Sequence, residues 1–200
     1  MLLEKKPDFK SKGFQDAFGA LREKDIEGGR DIEALINIYT EAKDLYIRNA
    51  CLKLLYNQNK HPLKDFFEKA YKKEPYLDMK ANALRGLLNY APEAEIEELL
   101  ENFNAMLEER KKTTPYNYQE YEMLLGKNSL PFLHRKYGYK CLKKTLEIVQ
   151  KQYDELPEAL KGHFTVDENG NMVLLRTPEE TGKMITEFFD KINEKYYKGG

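Results

Sequence analysis

The 200-residue chain predicts a mainly α fold: an α-solenoid of stacked antiparallel helix pairs, with one small β-hairpin near the C-terminus and a capping C-terminal helix. Three observations carry that prediction. One helical pattern occurs twice at an offset of 32 residues, as Ile47-Arg48-Asn49-Ala50-Cys51-Leu52-Lys53-Leu54-Leu55 and as Met79-Lys80-Ala81-Asn82-Ala83-Leu84-Arg85-Gly86-Leu87. Both read apolar, basic, two variable, small, leucine, two variable, leucine. Leu35, Tyr39 and Leu45 extend the match backward onto Phe67, Tyr71 and Leu77, so each unit reads as one helix, a short turn and a second helix, the signature of a helical array. Elsewhere apolar residues recur mostly at the spacing of one helix face, and the period switches to strict alternation only around Asn169-Gly170.

Taking the elements in order, Phe9, Phe14, Phe18 and Leu21 predict a first helix over residues 8–23, weakened by Gly13 and Gly19. Gly28-Gly29 breaks the pattern, Asp31 stands where an N-cap belongs, and Ile32, Leu35, Ile36 and Tyr39 form the next buried stripe. The partner helix runs from Leu45 to about Tyr56. Pro62 fits the first position of another helix, with Leu63, Phe66, Phe67, Ala70 and Tyr71 on one face, and Glu74-Pro75 ends it because a residue before proline is pushed out of helical geometry. The second inner helix reaches about Tyr90. From Pro92, a stripe of Ile96, Leu99, Leu100, Phe103, Met106 and Leu107 predicts a long helix, closed by the break at Thr113-Thr114-Pro115.

Beyond the break, Tyr116, Tyr118, Tyr121, Leu124 and Leu125 suggest a helix start, Gly126 to Pro131 interrupts, and a turn over Phe132 to Tyr137 leads into a helix from Tyr139 to about Tyr153. Phe164 and Val166, then Met172 and Leu174, flank Asn169-Gly170, the strongest short hairpin signal. Thr177-Pro178-Glu179-Glu180 reads as a capping box that opens the last helix, with Met184, Ile185, Phe188, Phe189 and Ile192 expected to be buried. The expected division is residues 1–112 as the repeat region and 113–200 as a helical region with hairpin 164–175 and capping helix 178–197, packed together as one continuous unit.

The doubled segments resemble HEAT-type repeats, in particular their shorter variants, whose inner helix carries an apolar-basic-x-x-small-leucine pattern after an aspartate or a short turn. Asp44 fits that place in the first unit, and Tyr76 stands there in the second. The resemblance covers residues 31–112 and implies a curved stack of helix pairs whose concave face binds another protein. Arg48, Lys80 and Arg85 on the inner helices are the expected contacts. The alternative role for each is a pairing with a neighbouring acid between repeats.

Composition narrows the function classes. Apolar residues at 41% and charged residues at 34% describe a folded chain with a well solvated surface, and a net charge of -1 gives no overall pull toward nucleic acid or acidic membrane. The opening Met-Leu-Leu-Glu-Lys-Lys meets charge too early for a secretory signal, and no run of about 18 apolar residues occurs. The expectation is a cytoplasmic monomer without membrane contact. Cys51 and Cys141 are expected to be reduced core thiols.

No catalytic set emerges, and the expectation is a protein without cofactor, metal or enzymatic activity. Asp167-Glu168-Asn169-Gly170-Asn171 begins like a calcium loop but has Met172 at position six and Pro178 at position twelve, where glycine and glutamate are needed. Ser11 and Ser129 lack a nucleophile-elbow context. Cys141 and His134 are seven apart, and Gly138 argues against one helix spanning both. His61, His134 and His163 have no paired ligand spacing, and Gly28-Gly29 is not followed by a phosphate-binding lysine.

Charge is unevenly distributed. Residues 93–109 hold Glu93, Glu95, Glu97, Glu98, Glu101, Glu108 and Glu109 without a lysine or arginine, an acidic face suited to a small inhibitory partner of the antitoxin or immunity kind. Residues 134–151 hold Arg135, Lys136, Lys140, Lys143, Lys144 and Lys151 against Glu147 alone. Tyr137 and Tyr139 are interleaved with them, which would suit nucleic-acid phosphates and stacked bases.

Overall fold

The computed structural model describes residues 7–23, 29–58, 61–113, 123–124, 129–166 and 172–197. These contain nine α-helices, a 3-10 turn at Glu158–Leu160 and one two-stranded antiparallel sheet. The chain divides into two compact units, Met1–Ile96 and Glu97–Gly200.

The first unit opens with α1 (Lys12–Glu23). It starts later than the phenylalanine spacing suggests because residues 8–11 form a turn: the Ser11 hydroxyl donates to the Asp8 carbonyl at 2.8 Å and accepts from the Phe14 amide at 3.2 Å. Phe14, Phe18 and Leu21 are buried. In α2 (Gly29–Glu41), Asp31 lies within the first turn rather than capping it, an acid at the positive end of the helix dipole. The stripe buried there is Ile32, Ala34, Leu35, Ile38 and Tyr39, with Ile36 only half-buried.

α3 (Leu45–Leu55) is capped by Asp44, whose Oδ1 accepts from the amides of Tyr46 and Ile47 at 2.8 and 3.2 Å. α4 (Lys64–Lys73) begins two residues beyond Pro62, which is exposed and outside it, because a backbone bond from Leu63 to His61 closes a tight turn first. Glu74 then leaves the helix with ψ 129°, as its position before Pro75 requires. α5 (Leu77–Leu87) follows. Three residues join α2 to α3 and three join α4 to α5, and α3 packs against α5.

Leu52, Leu55, Leu84 and Leu87 are all buried in this unit. Nine residues of α5 are buried, which makes it the most enclosed of these helices. It approaches α4 so closely that a Cβ added at Gly86 would overlap the fully buried Phe67 ring. Leu45, expected to match Leu77, is 41% exposed whereas Leu77 is 3% exposed, so the correspondence between pairs fails at that edge.

α6 (Glu93–Thr113) is one continuous helix within which the division between units falls, well before the break at Thr113-Thr114-Pro115. Pro115 and the tyrosines 116, 118 and 121 lie outside the described residues, as do Asn169 and Gly170 of the predicted turn.

In the second unit, the stretch expected to be a turn after Pro131 is a helix, α7 (Leu130–Tyr137). Ser129 caps it and Pro131 sits in its first turn, where a proline ring is tolerated. Gly138, at φ 69°, ends it in the left-handed conformation that glycine adopts without penalty and hands the chain to α8 (Lys140–Asp154). The hairpin forms as β1 (Phe164–Val166) and β2 (Met172–Leu174), with Phe164 opposite Leu174 and Thr165 opposite Val173.

α9 (Pro178–Tyr197) starts with the expected box: the Thr177 amide donates to Glu180 at 2.8 Å, and the Glu180 amide donates to the Thr177 hydroxyl at 3.2 Å. Its apolar stripe is not buried as predicted. Phe189 is exposed, and Met184, Ile185, Phe188 and Ile192 are only half-buried. Its closest packing is against the 3-10 turn, and three residues cannot cover a twenty-residue stripe.

Candidate binding surfaces

The basic residues of the doubled pattern turn inward. Arg48 meets Glu74 in a two-pronged pair, Nε to Oε1 at 2.9 Å and Nη2 to Oε2 at 3.0 Å, and its Nη1 also donates to the carbonyls of Ala42 and Lys43. The Tyr39 hydroxyl donates to the same Glu74 Oε1 at 2.7 Å. Glu74 has no exposed side-chain surface, and burial beside the carboxylate pushes the Tyr39 phenol far above its usual range.

Lys80, at the equivalent position, is buried, donates to the Tyr71 carbonyl and lies 4.5 Å from the Tyr71 ring centre. Burial holds its ammonium below the usual lysine range. The two matched cations thus pin each inner helix to the helix or turn that precedes it.

The third expected contact, Arg85, is half-buried. Its Nη1 donates to Asn82 Oδ1 at 2.7 Å and its guanidinium lies 5.8 Å from the Tyr56 ring centre. Asn82 in turn donates to Asn49 at 2.7 Å, Asn89 to the Tyr56 carbonyl at 2.8 Å and the Tyr90 hydroxyl to the Gln58 carbonyl at 2.7 Å. These bonds join α3 and its end to α5 and its end, a polar ladder along the seam between pairs. The alternative role stated for these cations, internal pairing, is therefore the one in which Arg48 is seen.

What the first unit offers outward lies beside α1. A groove of about 700 Å³ is lined by Phe9, Phe14, Phe18 and Ile47 at its base and by Tyr46, Lys10, Arg22, Lys43, Glu41 and Asp44 around it. Tyr46 is 65% exposed, the most exposed large apolar side chain among the described residues. Arg22 fixes it in place, donating to its hydroxyl at 2.7 Å with the guanidinium 5.3 Å from the ring centre. Three cations, Lys10, Arg22 and Lys43, stand around the groove against two acids, Glu41 and Asp44.

The chain matches no protein-family model, no curated protein and no solved structure.

The sequence could have shown Tyr46, a large ring one step off the buried stripe at the start of α3. It could not have shown the groove. Phe9, Phe14 and Phe18 carry the same spacing whether their helix is covered on one side or both.

In the second unit, Arg135, Lys136, Lys140, Lys143 and Lys144 are exposed around the α7–α8 elbow. The Tyr137 and Tyr139 ring centres are 5.7 Å apart, with the Lys136 ammonium 4.8 Å from that of Tyr137. His134 Nδ1 lies 3.2 Å from the Tyr139 carbonyl, and Cys141 is buried beyond Gly138. Cys51 is buried as well, and burial pushes its thiol up to about 12.

On α6, Glu95, Glu97, Glu98, Glu101, Glu108 and Glu109 are exposed and Glu93 is half-buried. Glu95 pairs with Lys64 at 2.6 Å and Glu109 with Lys112 at 3.2 Å. Among the described residues no three or more His, Cys, Asp and Glu side chains cluster to hold a metal ion, and no helix is long and apolar enough to cross a membrane.

Proposed function

We propose that this chain is a non-enzymatic helical-repeat binding module that recognises another protein, with the HEAT-like pairs as its frame. The groove beside α1 is the contact surface, in place of the inner-helix cations. The observation that carries the reading is an exposed aromatic side chain, Tyr46, hydrogen-bonded by Arg22 and lining a largely apolar groove. Interfaces concentrate their energy in a few aromatic and arginine side chains that become well packed and desolvated on binding. Lys10, Arg22 and Lys43 on the rim favour a partner segment with a bulky apolar residue flanked by aspartate or glutamate.

Selection from a random 12-residue peptide library tests this directly. Enriched peptides should share an apolar anchor next to an acid, and Tyr46→Ala or Lys43→Glu should weaken them at least tenfold while leaving the melting temperature unchanged. No enrichment, or peptides whose binding ignores both substitutions, would remove the groove from the proposal.

A further inference from the structure

We propose that the α7–α8 elbow is a second binding surface, one that takes single-stranded nucleic acid by its phosphates while bases stack on Tyr137 and Tyr139. Three features meet there. Gly138 folds the chain back in the left-handed region, which brings the basic end of α7, Arg135 and Lys136, next to the start of α8. On α8, Lys140, Lys143, Lys144 and Lys151 are all exposed and share roughly 100° of the helix circumference over about 17 Å of its length, a predominantly cationic face that Glu147 interrupts once. Glu147, 3.7 Å from Lys143, is the lone acid within residues 134–151.

Lys140 and Lys143 also stand in the first turn of α8, which contains no acid. Positive side chains at the positive end of a helix dipole oppose its stability unless an anion answers them. The tyrosine pair at the bend then decides which anion. Two aromatic rings beside a group of exposed lysines suit stacked, unpaired bases, which neither an acidic peptide nor a lipid headgroup supplies.

The test is fluorescence anisotropy of the full chain with a labelled 12-mer oligothymidylate. Binding is expected at 50 mM salt and should weaken roughly a hundredfold by 200 mM, the slope for about five neutralised phosphates on a single strand. Lys140→Glu with Lys144→Glu should abolish it, and Tyr137→Leu should weaken it roughly tenfold through lost stacking. Because both lysines are exposed, the charge reversals read out independently of any folding defect in the tyrosine variant.

Absence of binding at 50 mM salt overturns the proposal. It is equally overturned if polyglutamate, phosphatidylserine vesicles or a duplex of the same length bind as tightly, or if Tyr137→Leu binds the oligonucleotide like the parent chain. Failure here leaves the groove beside α1 untouched, since the two surfaces share no residue.

Discussion

Removing the Glu74 carboxylate leaves the half-buried Arg48 guanidinium without its counter-charge and the Tyr39 hydroxyl without its acceptor. Glu74→Ala is therefore expected to cost about 3–5 kcal/mol in urea unfolding, the usual penalty for breaking one side of a buried pair. The exposed pair Lys143 and Glu147 offers the contrast: Glu147→Ala should shift stability by less than about 1 kcal/mol. A Glu74→Ala variant as stable as the parent would mean that water reaches Arg48.

Burial also sets an alkaline limit. The Cys51 thiol ionises near 9 when unfolded but resists until about 12 when folded, so the folded chain holds this proton more tightly. Its share of stability is complete below pH 9 and is lost as pH rises toward 12; Tyr71, raised from 10 to about 12, acts in the same direction. The urea midpoint should fall between pH 8.5 and 11, and less steeply in Cys51→Ala. A flat profile would contradict the burial of both groups.

Among the elements, α5 shows how little room the packing leaves. Gly86→Ala improves helix propensity by about 1 kcal/mol, yet the new methyl would have to displace the Phe67 ring, which has no exposed surface. We expect a net loss of about 1–3 kcal/mol in thermal or urea unfolding. A Phe67→Leu change in the same chain should recover part of it, and a stabilised Gly86→Ala would show that α4 yields.

Most helix ends were readable because each signal is local. Asp44, Glu74-Pro75 and the Thr177-Glu180 box act within four residues of the helix end they define. α7 reads as a turn in the sequence because its eight residues, Leu130–Tyr137, are too few to display a period. Internal pairing of Arg48 was one of the two roles open to it, but the partner was not legible, because Glu74 lies 26 positions later, on a turn.

Across the whole molecule, protection should be uneven. In native-state hydrogen exchange the amides of α3 and α5 should be the slowest, while those of β1, β2 and α9 should exchange first, since Phe164, Val173, Leu174 and Phe189 stand exposed there. Uniform protection would show that these apolar side chains are covered in solution. The surfaces proposed for binding were legible only in part: the basic and aromatic residues near Gly138 stand together in sequence, whereas the groove gathers residues from α1 and from the turn before α3.

The position of Glu74 has one more effect. It sits in the turn that joins the two helices of the second pair yet is held by Tyr39 and Arg48 of the first, so neither pair can breathe alone without breaking that ion pair. Partial melting of this unit is thereby suppressed. The two helix pairs should come apart as one cooperative block, and not by peeling from an end.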